Sequence, residues 1–344
     1  MTDPQRYAAQ QALEQIGNEG QKRLLASRVA VVGCGATGTA ILDRLARAGV
    51  GTVRLIDRDI VELANLQRQF LYDERDLEQP KAIVAARKLQ AINHTIEIQP
   101  IDADLNSRTC EQFLGGTNLI LDGTDNLPTR WLINDFSVAT GIPWIFGGVD
   151  TTGGATSSLL GCGGPCLRCI EGLLRRWDTG GSCLTAGVLN TVTSIIGSLE
   201  ATEALRYLVQ GAATSDEARL TLVDPWNGYF RILSFERYSK CPCCVQKDFS
   251  YLAGRWDVPV HPLCGGNSFV IIPKVPIDPA VLSQLAPRLE ALGKVAYNEF
   301  LLRFTHDEFS VFVFRMGQIL VKGVADEKRA KAIVSEYFGS AVSV

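Results

Sequence analysis

A glycine-rich turn near the N-terminus has the residue types and spacing that suit phosphate binding. Gly33, Gly35 and Gly38 follow four apolar residues, 29–32, which predict a buried strand, and they open a predicted helix. The first glycine permits a tight turn, the second lets backbone approach a phosphate, and the third lets the helix pack on the strand. Asp57 ends a second predicted strand nineteen residues after Gly38, where it can accept hydrogen bonds from ribose hydroxyls. The stretch therefore predicts a nucleotide site, for NAD or for ATP.

Charged side chains in the segments after this turn favour a triphosphate. Arg68 and Lys81 are cations, and Asp122 and Asp125 are carboxylates at the end of another predicted strand. The neutral hydrogen-bonding side chains of the same segments are Asn65, Gln69 and Asn126. Mg-ATP chemistry uses cations for the phosphates and a carboxylate for Mg²⁺, which hydride transfer does not need. We interpret the set as an ATP site, with an NAD-dependent oxidoreductase, or simply solvated surface charges, as the alternatives.

Two separated cysteine pairs have metal-ligand spacing. Cys166-x-x-Cys169 and Cys241-x-x-Cys244 together fit a tetrahedral site of four cysteines that holds zinc in a structural role. The alternatives are unrelated buried cysteines or redox pairs. Cys243, inside the second pair, leaves open which sulfurs bind the metal.

Cys183 lies outside both pairs, just before a long predicted helix. A helix N-terminus lowers the pKa of a thiol and makes it a better nucleophile. A small residue that merely fills space at a helix start is the other interpretation, and the sequence leaves both open.

Predicted elements place most of these residues at the ends of strands. Strands and helices alternate up to residue 146, which predicts an α/β fold with a Rossmann-like, doubly wound, mainly parallel sheet. Hairpin-like strands then extend the sheet with antiparallel members, and a long helix is predicted over 186–209. We expect a first domain over 1–250, a Gly- and Pro-rich linker over 249–267, and a small α+β domain of split-βαβ type over 268–344.

Composition limits the classes of function. The net charge of −3 offers no basic field for nucleic acid, and 46% hydrophobic residues are typical of a soluble globular protein. The most apolar stretch, 186–199, is too short to span a bilayer, and the polar N-terminus has no signal-peptide pattern. Ten cysteines without such a signal predict a reducing cytoplasm, where cysteines bind metal or react. We therefore expect a cytoplasmic protein with no nucleic-acid or membrane partner.

Over about residues 6–248 the chain resembles the ThiF/MoeB/HesA family, the bacterial relatives of ubiquitin-activating enzymes. The strings that carry the resemblance are Gly33-Cys34-Gly35-Ala36-Thr37-Gly38, Asn65-Leu66-Gln67-Arg68-Gln69, Gln79-Pro80-Lys81, Asp122-Gly123-Thr124-Asp125-Asn126, Pro165-Cys166-Leu167-Arg168-Cys169, Cys183-Leu184-Thr185-Ala186-Gly187, Gly197-Ser198-Leu199-Glu200-Ala201 and Cys241-Pro242-Cys243-Cys244. The resemblance implies ATP-dependent adenylation of the C-terminal Gly-Gly carboxylate of a ubiquitin-like sulfur carrier. It further implies pyrophosphate release, sulfur transfer of the thiamine or molybdopterin type, a homodimer and a sulfur donor protein.

The resemblance also implies a role for individual residues. Adenosine and phosphates are held by Gly33, Gly35, Gly38 and Asp57, with Asp122 and Asn126 beside them. The triphosphate is bound by Asn65, Arg68, Gln69 and Lys81. Magnesium is held by Asp125, and zinc by Cys166, Cys169, Cys241 and Cys244. The residues with implied catalytic roles are Arg68, Lys81, Asp125 and Cys183.

One position departs from the family pattern. The family usually carries Arg-Tyr-x-Arg-Gln near the N-terminus, where the second arginine reaches the partner subunit's ATP, and this chain has Ala9 there. The departure motivates one more alternative, a non-catalytic scaffold that binds a ubiquitin-like protein. The resemblance assigns no role to residues 268–344.

Overall fold

The computed structural model describes residues 5–159, 163–174, 187–211, 218–262, 267–273, 279–298, 300–315 and 317–339. The chain divides into two compact units, the second of which is chiefly Asp257–Val344. Within the described ranges, no helix is long and apolar enough to cross a membrane.

The first unit is an eight-stranded sheet with helices packed on it. Its strands are β1 (Arg28–Val32), β2 (Thr52–Asp57), β3 (Glu97–Asp102), β4 (Leu119–Asp122), β5 (Trp144–Asp150), β6 (Gly153–Leu159), β7 (Ala218–Asp224) and β8 (Tyr229–Phe235). Its helices are α1 (Ala8–Gln11), α2 (Gly17–Ala26), α3 (Ala36–Ala48), α4 (Lys81–Ile92), α5 (Cys110–Leu114), α6 (Leu127–Thr140), α7 (Glu171–Leu174) and α8 (Asn190–Gln210). The strand order is β3-β2-β1-β4-β5-β6-β7-β8. The predicted α/β fold is confirmed.

Strand order explains where ligands can bind. β1 pairs in parallel with β2 on one side and β4 on the other, so the order reverses at β1. In open α/β sheets this switch point leaves a crevice at the carboxyl ends of the strands. β5 to β8 pair antiparallel and extend the sheet away from the crevice. The apolar residues 29–32 are at most 3% exposed, as a central strand covered on both faces requires.

Helix α8 packs closely on α3 because one position lacks a side chain. A Cβ on Gly197 would lie 2.6 Å from Ala40 Cβ and 2.7 Å from the Thr37 carbonyl oxygen.

Helix α8 begins at Asn190, four residues after the predicted start, and Leu189 before it has an extended backbone. Periodicity alone overestimated its length because the apolar pattern continues beyond the helix.

The second unit is a six-stranded sheet with two helices. Its elements are β9 (Val260–Pro262), β10 (Ser268–Ile271), α9 (Pro279–Glu290), β11 (Lys294–Tyr297), β12 (Leu301–His306), β13 (Phe309–Phe314), β14 (Ile319–Lys322) and α10 (Glu327–Phe338), in the strand order β11-β12-β13-β14-β10-β9. All its described neighbouring pairs are antiparallel, so β10 and β11 run in the same direction with β12, β13 and β14 between them. Helix α9 connects these two parallel strands, as in a split βαβ unit, whereas two residues are enough to join the antiparallel neighbours β12 and β13.

Strand β9 lies within the predicted linker. Val260–Pro262 pairs with β10 at the edge of the sheet, where a proline costs no ladder hydrogen bond. The predicted linker therefore contains a short strand, and the boundary between the two units, at Trp256 and Asp257, also lies within it. At the end of the first unit, Tyr251 N–H donates to Asp135 Oδ2 at 2.9 Å, and the Tyr251 ring stacks on Trp256 at 5.8 Å.

We predict that a protein ending at Trp256 folds on its own, because the stack on Tyr251 closes the first unit there. A protein ending at Tyr251 is the matched control. Loss of the stack should cost it about 1 kcal/mol, which for a unit of this size is roughly 2–4 °C in melting temperature. The measurement is thermal unfolding by circular dichroism. A molten or aggregated 1–256 protein would show that the first unit depends on the rest of the chain.

Candidate active site

The glycine turn brings three backbone segments into contact. Gly33 has a φ of +92°, and a Cβ on it would lie 2.4 Å from the Gly123 carbonyl oxygen. A Cβ on Gly38 would lie 1.9 Å from the Gly33 carbonyl oxygen. A Cβ on Gly35, in contrast, would meet nothing in the described part of the chain closer than Gln69 Nε2 at 3.8 Å. Backbone therefore fills the space beside Gly33 and Gly38, whereas the space beside Gly35 is open.

Helix α3 starts at this open position. Its N-cap is Gly35, and no side chain among the described residues caps the helix. The first N–H groups of a helix need partners, and they carry the positive end of the helix dipole. The thirteen-residue helix thus offers an anion site next to the only open glycine of the turn.

Asp57 ties the turn to strand β2. Its Oδ2 accepts a hydrogen bond from Cys34 N–H at 2.6 Å, and its Oδ1 accepts one from Asp59 N–H at 2.8 Å. Burial raises the pKa of Asp57, and the nearby Lys81 ammonium opposes this shift. The predicted ribose ligand thus lies at the glycine turn, as the motif requires.

Lys81 is a buried cation at the start of α4. The residue is 5% exposed, and its Nζ lies 2.5 Å from Asp59 Oδ2. Burial alone would lower the pKa of Lys81, but the carboxylates of Asp59 and Asp57 outweigh it, with a smaller contribution from Asp125, and raise the pKa. Lys81 is therefore charged and shares one electrostatic environment with Asp57 and Asp125. Sequence reasoning missed Asp59, although its spacing from Asp57 was a signal.

The segment after β2 supplies the polar side chains. Gln69 is 4% exposed, and its buried Oε1 has no hydrogen-bond partner among the described residues. Asn65 Oδ1 accepts from Glu62 N–H at 3.2 Å, and half-buried Arg68 donates to the Ala64 carbonyl at 2.9 Å. Leaving a buried acceptor unpaired costs about 1–3 kcal/mol. A ligand with a donor, such as a ribose hydroxyl or an adenine amine, would remove that cost.

The loop after β4 is stabilised by hydrogen bonds among its own residues and with Arg130. Asp122 is fully buried, and its Oδ1 accepts from Thr124 N–H at 2.9 Å and from Thr124 Oγ1 at 2.6 Å. Its Oδ2 accepts from Arg130 Nε at 2.9 Å, and Arg130 Nη2 donates to the Thr124 carbonyl at 2.7 Å. Asn126 caps α6 by accepting from Thr129 N–H at 3.0 Å. Asp122 and Asn126 thus stabilise the loop itself, and Asp125 between them is exposed.

Sequence reasoning missed Arg130. No motif contains it, and its position eight residues after Asp122 is informative only once α6 turns it back toward β4. It also donates to the Gly147 carbonyl at 2.8 Å. Arg130 therefore connects the ends of β4 and β5.

The four predicted metal ligands lie together. Their sulfur atoms are all within 4.8 Å of one another, and the pairs Cys166–Cys241 and Cys169–Cys244 are each 3.6 Å apart. A tetrahedral zinc with Zn–S bonds of about 2.3 Å separates its sulfurs by roughly 3.8 Å. The donor set and the spacing therefore fit zinc. Cys243 packs beside these four cysteines but is not one of the set, and its sulfur accepts from Asn134 Nδ2 at 3.2 Å.

The cysteine cluster braces α6. Asn134 on that helix accepts from Leu167 N–H at 2.8 Å, while its amide donates to Cys243. The Arg168 guanidinium lies 4.3 Å from the centre of the Trp131 ring, on the same helix. The helix that begins beside Asp125 is thus fixed near its middle by residues next to the cluster.

Cys183 and Ala9 are the two remaining positions that the sequence singled out. Cys183 lies outside the described residues. Ala9 is exposed on α1, and Arg6 before it donates from Nη1 to the Ile92 carbonyl at 3.1 Å. Arg6 is therefore used to anchor the N-terminal segment to the C-terminal end of α4.

Comparison with known proteins identifies the family. The model of the ThiF family matches residues 7–243. The chain belongs to the ThiF family. This confirms the family that the sequence motifs indicated.

Two curated relatives of this ThiF-family chain differ in how much of it they match. The sulfur carrier protein ThiS adenylyltransferase of Bacillus subtilis (strain 168) is 35% identical over 342 residues, which are 97% of this chain and 99% of the relative. The sulfur carrier protein adenylyltransferase of Thermus thermophilus is 38% identical over 244 residues, which are 70% of this chain and 90% of the relative. Among solved structures, E. coli MccB with ATP has a TM-score of 0.58 at 21% identity and covers 71% of this chain and 74% of its own, which shows a shared fold.

We predict about one zinc per chain, because four cysteines complete a tetrahedral site. Cys169→Ser should lower the zinc content to roughly zero and lower the melting temperature, since a structural metal stabilises the fold. Cys243→Ser is the matched control and should keep its zinc, because Cys243 is not one of the four sulfurs that lie within 4.8 Å of one another. Elemental analysis measures both. Zinc lost from Cys243→Ser but kept in Cys169→Ser would contradict this ligand assignment.

Proposed function

We propose that this protein uses ATP to adenylate the C-terminal Gly-Gly carboxylate of a small ubiquitin-like sulfur carrier. The observation that carries the proposal is the match to the B. subtilis ThiS adenylyltransferase over nearly the whole of both chains. The T. thermophilus relative bears a name of the same class, which agrees with the adenylyltransferase activity predicted from the sequence. The product is an acyl-adenylate, and pyrophosphate leaves.

The geometry of the first unit supports a role for each part of the site. The open Gly35 and the N-terminus of α3 suit a phosphate, and Asp57 and the unpaired oxygen of Gln69 suit the nucleoside. Lys81 is buried and charged, so it can offset phosphate charge without first losing its hydration. Arg68 is the second cation of the segment and is proposed to bind the triphosphate. The carrier carboxylate attacks the α-phosphorus, and the bond to pyrophosphate breaks.

Magnesium fits the carboxylate at the mouth of this site. Asp125 is exposed and acts electrostatically on Lys81, and Mg²⁺ prefers carboxylate oxygens. When bound, Mg²⁺ supplies positive charge to the phosphates. Asp125 is the residue proposed to hold it, and the internal bonds of Asp122 keep Asp125 in place.

Later steps and partners are part of the same proposal. Cys183 is proposed to act after adenylation, as a sulfur nucleophile that displaces AMP from the acyl-adenylate. A homodimer and a sulfur donor protein are proposed from the family resemblance. With Ala9 in place of the usual arginine, a partner subunit would contribute no cation from this position, so Arg6 or another cation replaces it or adenylation is weaker.

The second unit is proposed to be dispensable for adenylation. The T. thermophilus relative aligns 90% of its length with only 70% of this chain, and its name is of the same class. All nucleotide and metal residues that the resemblance implies lie before residue 246.

The test is ATP–pyrophosphate exchange with a small carrier protein ending in Gly-Gly. Asp125→Ala should lower the exchange rate about 100-fold or more, because a carboxylate that holds the phosphate-bound metal contributes several kcal/mol to transition-state stabilisation. Its melting temperature should stay at the parent value, since Asp125 is exposed. Glu19→Ala, which removes an exposed carboxylate from α2, is the control and should exchange at the parent rate.

Two results would contradict the proposal. One is parental exchange in Asp125→Ala. The other is thermal stabilisation of the parent by NAD and not by Mg-ATP, which would favour the oxidoreductase alternative.

A further inference from the structure

A buried carboxyl on α8 has no role in the site described above. Glu200 is 0% exposed, and neither of its carboxyl oxygens has a side-chain hydrogen-bond partner among the described residues. The backbone of Asp122 is close enough to act on the carboxyl, but without the geometry of a full hydrogen bond. Burying a charged carboxylate without partners is very costly, whereas an uncharged carboxyl costs far less. Glu200 is therefore most stable in its protonated, uncharged form.

Glu200 packs against the end of β5 at a position that has no side chain. A Cβ on Gly147 would lie 1.8 Å from Glu200 Oε1, so only glycine leaves room for this carboxyl. Gly147 is itself part of the network that holds the β4 loop. Its carbonyl accepts from Arg130 Nη2 at 2.8 Å, and its N–H points to Asp122 Oδ2 at 3.5 Å.

The charged groups around Glu200 favour a proton on its carboxyl. Among the described residues, the charged groups that act on it are Asp122 on β4 and Arg130 on α6. If both carboxyls were ionised, one guanidinium would face two negative charges in a buried place. Burial first, and then the Asp122 charge, raise the pKa of Glu200 well above its ordinary value. With Glu200 protonated, Arg130 pairs with Asp122 alone at 2.9 Å.

We propose that Glu200 is a positioning residue of the adenylation site. Its uncharged carboxyl packs on Gly147 and does not compete with Asp122 for the Arg130 guanidinium. The ion pair between Arg130 and Asp122 then holds the β4 loop so that it presents Asp125 to Mg-ATP. The effect on adenylation rests on the proposed function. The positioning of the β4 loop rests on how α8, β4, β5 and α6 pack together.

The first test asks whether the buried carboxyl is uncharged. Between the unfolded pKa near 4.5 and the raised folded pKa, the folded state holds a proton that the unfolded state has lost. The parent therefore loses stability as pH rises through this window, and Glu200→Gln does not. The melting temperature of Glu200→Gln relative to the parent should rise by about 2 °C or more between pH 5 and pH 8.

Glu203→Gln is the matched control on the same helix. Glu203 is partly exposed and accepts from Ser158 Oγ at 3.0 Å, with Arg206 as its ion-pair partner. The same substitution there should bring no gain in melting temperature on raising the pH. A Glu200→Gln protein that is less stable than the parent at pH 8, and loses that deficit at pH 5, would show an ionised Glu200 paired with Arg130 and would overturn the proposal.

The second test measures positioning through Mg-ATP binding by calorimetry, at a temperature where all variants are folded. Glu200→Ala should weaken the affinity about tenfold, as is usual when a supporting partner of a binding group is lost. Glu200→Gln should restore it, because its amide keeps the shape and lacks charge. A folded Glu200→Ala protein with parental affinity would overturn the positioning role. A parent that binds Mg-ATP but exchanges no pyrophosphate would count against the proposed function and not against this inference.

Discussion

The whole first unit depends on one close backbone approach. Gly33, Gly38 and Gly123 meet where a Cβ on any of them would lie within 2.4 Å of a backbone oxygen. This contact joins the turn after β1, the start of α3 and the loop after β4. Because the three segments cannot move apart without losing it, Asp57 at one side and Asp125 at the other are held around one crevice. Everything the site can do chemically follows from this geometry.

Helix α6 connects that crevice to the cysteine cluster. At its N-terminal end, Arg130 binds Asp122 and fixes the loop that carries Asp125. Further along, Asn134 bonds to Leu167 beside the cluster. A metal bound there would stabilise the helix far from any reacting atom, and its loss would still be felt at the nucleotide.

Sequence reasoning succeeded where the signal is local and failed where it is not. The glycine turn and the cysteine pairs have fixed spacing, so their positions were predictable. Arg130 and Glu200 act through contacts between distant segments, which no spacing reveals. The predicted linker contains the boundary between the two units, but part of it is a strand. Proline and glycine mark irregular structure only on average, and Val260–Pro262 forms an edge strand that tolerates them.

The central claim is that this chain transfers AMP to a carboxylate, and intact mass spectrometry tests it most directly. The purified protein is incubated with Mg-ATP and a carrier ending in Gly-Gly, with pyrophosphatase present to remove the product. The account predicts a carrier that is heavier by one AMP less water, and no change in a carrier that lacks the last glycine. An unchanged full-length carrier, with ATP bound but not consumed, would contradict the account and favour the scaffold alternative.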